Sequence, residues 1–95
     1  MNIEWSPEAI EDLISLRAYI AEESPAGARR IAMRILDVVE DLLPANPHMG
    51  RPGRVPGTRE LVIPQTPYIF PYRIHRNTVQ ILRVYHSARR WPDSF

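Results

Sequence analysis

Arg83, Tyr85, His86, Arg89, Arg90 and Trp91 crowd into nine residues near the end of this 95-residue chain. A guanidinium carries a permanent charge and a fork of donors that matches a carboxylate or a phosphate. An imidazole ordinarily titrates near 6.5 and so can move a proton at neutral pH. His86 is therefore the candidate general base, and a hydrogen-bonded structural histidine is the alternative. Arg89, Arg90 and Trp91 lie beyond the last strand-like run and are candidates for touching a partner; a solvated tail is the competing reading. Arg51 and Arg54 sit in a Pro/Gly-rich stretch, where the sequence gives them no core duty, and they are expected to join the same cationic patch.

The charge distribution points the same way. Residues 1–46 carry nine acids against four arginines, whereas residues 47–95 carry eight arginines against Glu60 and Asp93, so a net charge of +1 hides an acidic front and a basic back. Such asymmetry favours an anionic partner for the back half, unless the two halves neutralise each other inside the fold. His48 and His75 stand apart from any cluster of acids, so no metal site is expected, and no cofactor motif is visible. The absence of cysteine excludes a disulfide, a zinc ribbon and a thiol nucleophile.

These residues need a scaffold, and the pattern supplies one. An apolar fraction of 44% and a charged fraction of 24% are those of an ordinary globular domain, and the length suits one domain, 1–95. No apolar run is long enough to span a bilayer. The N-terminus lacks a signal pattern, so a cytoplasmic protein is expected. Asn2 to Trp5 reads as an edge strand. Ser6-Pro7-Glu8 and Ser24-Pro25 are helix starts, each with a capping serine followed by proline at the first helical position. Ile10, Leu13, Ile14, Leu16 and Ile20 predict the buried stripe of one helix. Ile31, Ile35, Val38, Val39, Leu42 and Leu43 predict that of a second, stopped by Pro44. Two or three residues separate the helices, which implies an antiparallel hairpin.

Residues 44–57 read as a loop. The runs Arg59–Pro64, Tyr68–Ile74 and Thr78–His86 follow as an antiparallel meander joined at Gln65-Thr66 and Arg76-Asn77. That register pairs Leu61 with Phe70, Ile74 with Val79, Tyr72 with Ile81 and Phe70 with Arg83. It lays Leu61, Ile63, Tyr68, Phe70, Tyr72, Ile74, Val79 and Ile81 against the helices. The other face receives Glu60, Val62, Ile69, Pro71, Arg73, Gln80, Leu82, Val84 and His86, and its apolar members suit a partner. Pro71 removes a ladder donor in mid-strand and predicts a bulge or distortion. Arg83 is expected to pair with a helix carboxylate, Glu11 or Asp12, and Arg59 to stack on Tyr72. If the first strand pairs with the next one, the two helices between them make that pair antiparallel.

The order strand, two helices, three strands is carried by four successive words: W-S-P-E-A-I-E-D-L, G-R-V-P-G-T-R-E-L-V-I, P-Y-I-F-P-Y-R-I and I-L-R-V-Y-H-S-A-R-R-W-P. Together they resemble the RelE/ParE superfamily of type II toxin–antitoxin toxins over nearly the whole chain. The resemblance implies an α+β fold, β-α-α-β-β-β, with a helical hairpin on one face of a small antiparallel sheet. It also implies a bacterial toxin held inactive in a hetero-oligomer with a ParD- or RelB-like antitoxin. Val62, Ile69, Leu82, Val84 and His86 would form the antitoxin's landing site.

RelE-like members cut messenger RNA on the ribosome, and here that role would fall to Arg51, Arg54, Tyr85, His86 and Arg89. The set is incomplete, because the family's strand arginine corresponds to Ile69 and its C-terminal tyrosine falls near Phe95. ParE-like members share the fold and the basic end and inhibit DNA gyrase by binding. The ending resembles theirs, which makes gyrase the expected target and Arg89, Arg90, Trp91, Arg51 and Arg54 the expected contacts. A remnant that binds an antitoxin without being toxic is the third reading.

Overall fold

The computed structural model describes residues 1–95. β1 (Asn2–Trp5) leads into α1 (Pro7–Glu23), and Ser24 alone separates α1 from α2 (Pro25–Leu36). The hairpin is tighter than expected because one serine serves both helices: its backbone N–H donates to the Ile20 carbonyl, and its hydroxyl accepts from Gly27 N–H. α2 runs on through a π-helical turn, Asp37–Leu42, into a last turn, Leu43–Ala45. The wider turn, marked by Leu43 N–H donating to Val38 O, keeps Val38, Val39 and Leu43 buried and turns Leu42 outward. β2 (Arg51–Pro52), β3 (Arg59–Val62), β4 (Tyr68–His75), β5 (Thr78–Ile81) and β6 (Tyr85–His86) follow.

The strands form one sheet in the order β1-β5-β4-β3-β2, with β6 also on β4. The meander is antiparallel in the expected register, with Leu61 opposite Phe70, Tyr72 opposite Ile81 and Ile74 opposite Val79. Arg76 and Asn77 both adopt positive φ, as the tight turn between β4 and β5 requires. The sheet as a whole is mixed. β1 does not meet β3; it lies parallel to β5, with Ile3 opposite Val79 and Trp5 opposite Ile81. The chain returns to the far side of the meander after the helical hairpin, and a parallel neighbour results. β2 is the other addition: the expected loop contains a short strand that pairs with Arg59 and Glu60.

The helices cover the predicted face. Ala9, Ile35, Val38, Val39 and Leu43 pack on Leu61, Ile63, Phe70, Tyr72, Val79, Ile81 and Val84. Trp5 extends this core edge-on to Phe70 at 5.9 Å, and its indole N–H donates to Glu40 at 3.0 Å. Along α1 the stripe is only half buried: Leu13 and Leu16 pack on the core, whereas Ile10 and Ile14 stay 46% and 63% exposed. Fully buried Ala9 takes the place expected of Ile10, because a methyl lets the start of α1 lie close on the sheet.

Candidate functional site at the bulge and the C-terminal segment

The last strand does not run straight from Thr78 to His86. From Tyr72–Ile81 to Ile69–Tyr85 the pairing with β4 slips by one residue, so Leu82, Arg83 and Val84 stand opposite Phe70 and Pro71. This is the distortion that Pro71 predicted, and it exchanges the faces downstream. Val84 enters the core on the helix side instead of the open face, at 6% exposure. Tyr85 takes the open face beside Ile69. His86, expected on the open face, sits opposite Tyr68 with the two rings edge-on at 5.9 Å. Arg83 therefore does not face Phe70.

The bulge is held by α1. Asp12 accepts from Arg83 Nε at 2.8 Å, from Arg83 Nη2 at 3.0 Å and from the Val84 N–H at 3.0 Å. One carboxylate thus satisfies both the cation and the donor that the slipped ladder leaves free, and Asp12 holds the Arg83 pKa above its usual value. Ser6 secures the other side: its hydroxyl donates to Leu82 O at 2.8 Å while accepting from Ala9 N–H as the cap of α1.

A second carboxylate fixes the loop. Glu60 is only 3% exposed and lies between Arg51 and Arg54. Arg51 Nε donates to it at 3.0 Å; Arg54 donates through its backbone N–H at 2.8 Å and through Nε at 3.1 Å. Burial alone would raise the Glu60 pKa, but the bonds from Arg54 and Arg51 outweigh it and hold the carboxyl below its ordinary range. Arg51 and Arg54 are thus not the free loop cations expected from sequence. β2 brings Arg51 across from a buried acid that requires compensation, and the loop after β2 returns Arg54 to the same carboxylate.

Tyr72 ties down the preceding segment. Gly50 N–H donates to its hydroxyl at 2.9 Å, and that hydroxyl donates to Pro47 O at 2.8 Å; burial raises its pKa. Arg59, opposite Tyr72, also serves the loop, donating to Gly50 O at 2.6 Å.

The C-terminal segment closes over the open face. Trp91 stands edge-on to Tyr85 at 5.1 Å, and Phe95 lies tilted on it at 6.2 Å. Arg54 covers the Trp91 ring at 3.9 Å, and Arg89 lies over Tyr85 at 4.3 Å. The resulting groove, about 710 Å³, is lined by Arg73, Leu82, Arg83, Tyr85, Arg89 and Arg90, among others. Of the open-face apolar residues, Val62 is exposed as expected, Leu82 is half-buried and Ile69 is buried at 4% beside Tyr85.

Arg54, Tyr85, Arg89, Arg90 and Trp91 therefore come together, and Arg51 joins them through Glu60. His86 does not. Its Nδ1 accepts from Ala88 N–H at 3.0 Å, and its ring packs on Tyr68 away from the groove. Asp12 is the helix carboxylate expected to pair with Arg83, whereas Glu60 is an organising residue that sequence reasoning missed. The signal for Glu60 was a lone acid among three arginines, at 51, 54 and 59.

The family model described as ParE toxin of type II toxin-antitoxin system, parDE, matches residues 3–91. This chain belongs to the ParE toxin family. Y4kP of Sinorhizobium fredii, a toxin candidate, is 46% identical over 97% of this chain and 94% of its own length. Toxin RelE2 of Caulobacter vibrioides is 34% identical over 93% of this chain and 97% of its own. A chain from the chromosomal ParDE system of P. aeruginosa superposes with a TM-score of 0.74 at 29% identity, covering 90% of this chain and 95% of that one. The ParE-family toxin described here is thus the toxin of a type II toxin–antitoxin system, and an antitoxin is its partner. No helix in it is long and apolar enough to cross a membrane.

Proposed function

We propose that this toxin acts in the cytoplasm by binding and inhibiting DNA gyrase rather than by cutting RNA. The observation that carries the reading is the position of His86. RNA cleavage by an internal 2′-hydroxyl needs groups that move protons beside cations that hold the phosphate. The groove supplies arginines and stacked aromatics, Tyr85 among them buried at 1% under Trp91, Phe95 and Arg89, while the bulge turns the neighbouring imidazole to the other face. That inventory suits a binding surface in which Arg89, Arg90 and Trp91 touch the target and Arg54, locked on Glu60, supports Trp91. Expression without antitoxin should arrest growth and accumulate gyrase-cleaved DNA. New messenger cuts at the ribosomal A site, with DNA intact, would overturn this. The nuclease reading is the alternative, favoured by the Caulobacter relative named as a RelE toxin.

We infer that the antitoxin seats on the helical hairpin rather than on the sheet. The expected landing site is largely spent, since Val84 and Ile69 are buried and His86 is turned away. Large apolar side chains are instead exposed at Ile10, Ile14, Met33 and Leu36, beside a narrow groove of about 180 Å³ between the helices. Arg34 reaches Pro64 O at 3.3 Å, which ties α2 to the turn after β3. An amphipathic antitoxin segment that buries these residues fits the surface.

A further inference from the structure

Arg73 has no role in the assignments above, yet three adjoining depressions meet at it. One is the groove under the C-terminal segment. A second, about 280 Å³, is lined by His48, Thr58, Arg59 and Arg73, and a third, about 290 Å³, by Thr58, Arg73, Leu82 and Asp93, among others. Arg73 projects from the middle of β4 on the open face and is exposed. The ion pairs of the fold are Arg51 and Arg54 with Glu60 and Arg83 with Asp12, so Arg73 has no carboxylate partner. Its Nε donates to Gln80 Oε1 at 2.6 Å, which fixes the guanidinium plane and leaves the two terminal nitrogens unspent. Arg89 and Arg90 line the same surface without a carboxylate; Glu8 and Asp93 border it, and Glu4 stands beyond Gln80 on the same sheet face.

We propose that this open face is a phosphodiester-binding trough centred on Arg73, and that it takes the backbone of duplex DNA. The cations indicate phosphate, and the state of the aromatics indicates which nucleic acid. A single-stranded chain is gripped by bases stacking on free aromatic faces. Here Tyr85 is packed against Trp91 and Phe95 under Arg89, and Trp91 is covered by Arg54, so these rings are already engaged. What remains open is charge, and a duplex with its bases stacked inside presents charge along its outside. The site is independent of whether gyrase is the target, because it requires only this chain and DNA.

Fluorescence anisotropy with the full-length toxin and a short labelled duplex tests it, run across a salt series without gyrase. The parent should bind in the micromolar range at low salt. Arg73→Gln should weaken binding by about fivefold and flatten the salt dependence by about one phosphate contact. Gln80→Ala, which frees the guanidinium plane but keeps the charge, should weaken it less, and Arg29→Gln on the opposite helical face should leave it unchanged. Melting curves confirm that each variant is folded. Absence of duplex binding at low salt, equal binding by Arg73→Gln, or tighter binding of single-stranded RNA of the same sequence would each overturn the proposal.

Discussion

Replacing Glu60 with glutamine removes one charge and leaves two guanidiniums, a backbone N–H and the Trp91 stack to rearrange. The parent carboxylate receives donors at 3.0, 2.8 and 3.1 Å, two of them charged side chains. Hydrogen bonds to charged groups contribute about 1.5–3 kcal/mol each when buried. Arg51 and Arg54, however, are 53% and 43% exposed and regain water when released. Glutamine also keeps an oxygen for the Arg54 N–H. The net loss should be about 1–2 kcal/mol, which for a domain of this size lowers Tm by roughly 5–15 °C.

The pH dependence identifies the cause. The Glu60 pKa is depressed in the folded state, so its contribution is present above the unfolded value, about 4.3, and is lost as pH falls through the folded one. Parent and Glu60→Gln should differ at pH 7, and the difference should shrink progressively as pH falls below the ordinary carboxylate range toward the lowered folded value. Thermal melts at pH 7, 5 and 3.5 read this out. Equal melting at pH 7, or a difference that persists undiminished in acid, would refute the account of Glu60 as the ionic anchor of the loop.

Asp12→Asn should cost about 2 kcal/mol in urea unfolding, since it weakens the hold on both Arg83 and the Val84 N–H; a cost below about 0.5 kcal/mol would mean the bulge holds itself. Gly50→Ala should destabilise by about 1–3 kcal/mol, because the new Cβ would stand 2.6 Å from the Tyr72 hydroxyl and 2.9 Å from Glu60 O. Circular dichroism melts would measure that loss, and an unchanged Tm would show that the loop gives way freely. Ile14→Glu should weaken antitoxin binding by tenfold or more in calorimetry, on the order of the apolar burial lost, while leaving the melt nearly unchanged at a 63% exposed site. Full affinity would move the antitoxin off the helical hairpin.

Much of the fold was legible because local signals agreed with one another. Ser6-Pro7 and Ser24-Pro25 marked both helix starts, the Arg76-Asn77 turn set the β4–β5 register, and alternation along Leu61–Ile63 and Phe70–Ile74 named the core face. What lay beyond the sequence was non-local. Nothing in Asn2–Trp5 announces that it will pair in parallel with β5, because that choice is made by where the helical hairpin returns the chain.

Pro71 signalled a distortion but not its length, and a single-residue slip was enough to send Val84 inward and Tyr85 outward. The cationic end was readable as chemistry, since Arg89, Arg90 and Trp91 do border the groove. The Arg83–Asp12 pair was readable too, but the anchoring on Glu60 was not, because Glu60 reaches Arg51 and Arg54 only through the pairing of β2 with β3 and the fold of the loop after it. The same asymmetry applies to the surface: apolar residues on α1 read as core from periodicity, and only the position of α1 on the sheet shows that Ile10 and Ile14 face outward.

Supercoiling of relaxed plasmid by purified gyrase is the reaction on which the proposed gyrase inhibition by this ParE-family toxin stands or falls. The toxin should block supercoiling or trap cleaved plasmid, its antitoxin should reverse the effect, and Trp91→Ala should weaken it. Normal supercoiling at saturating, folded toxin would contradict the account.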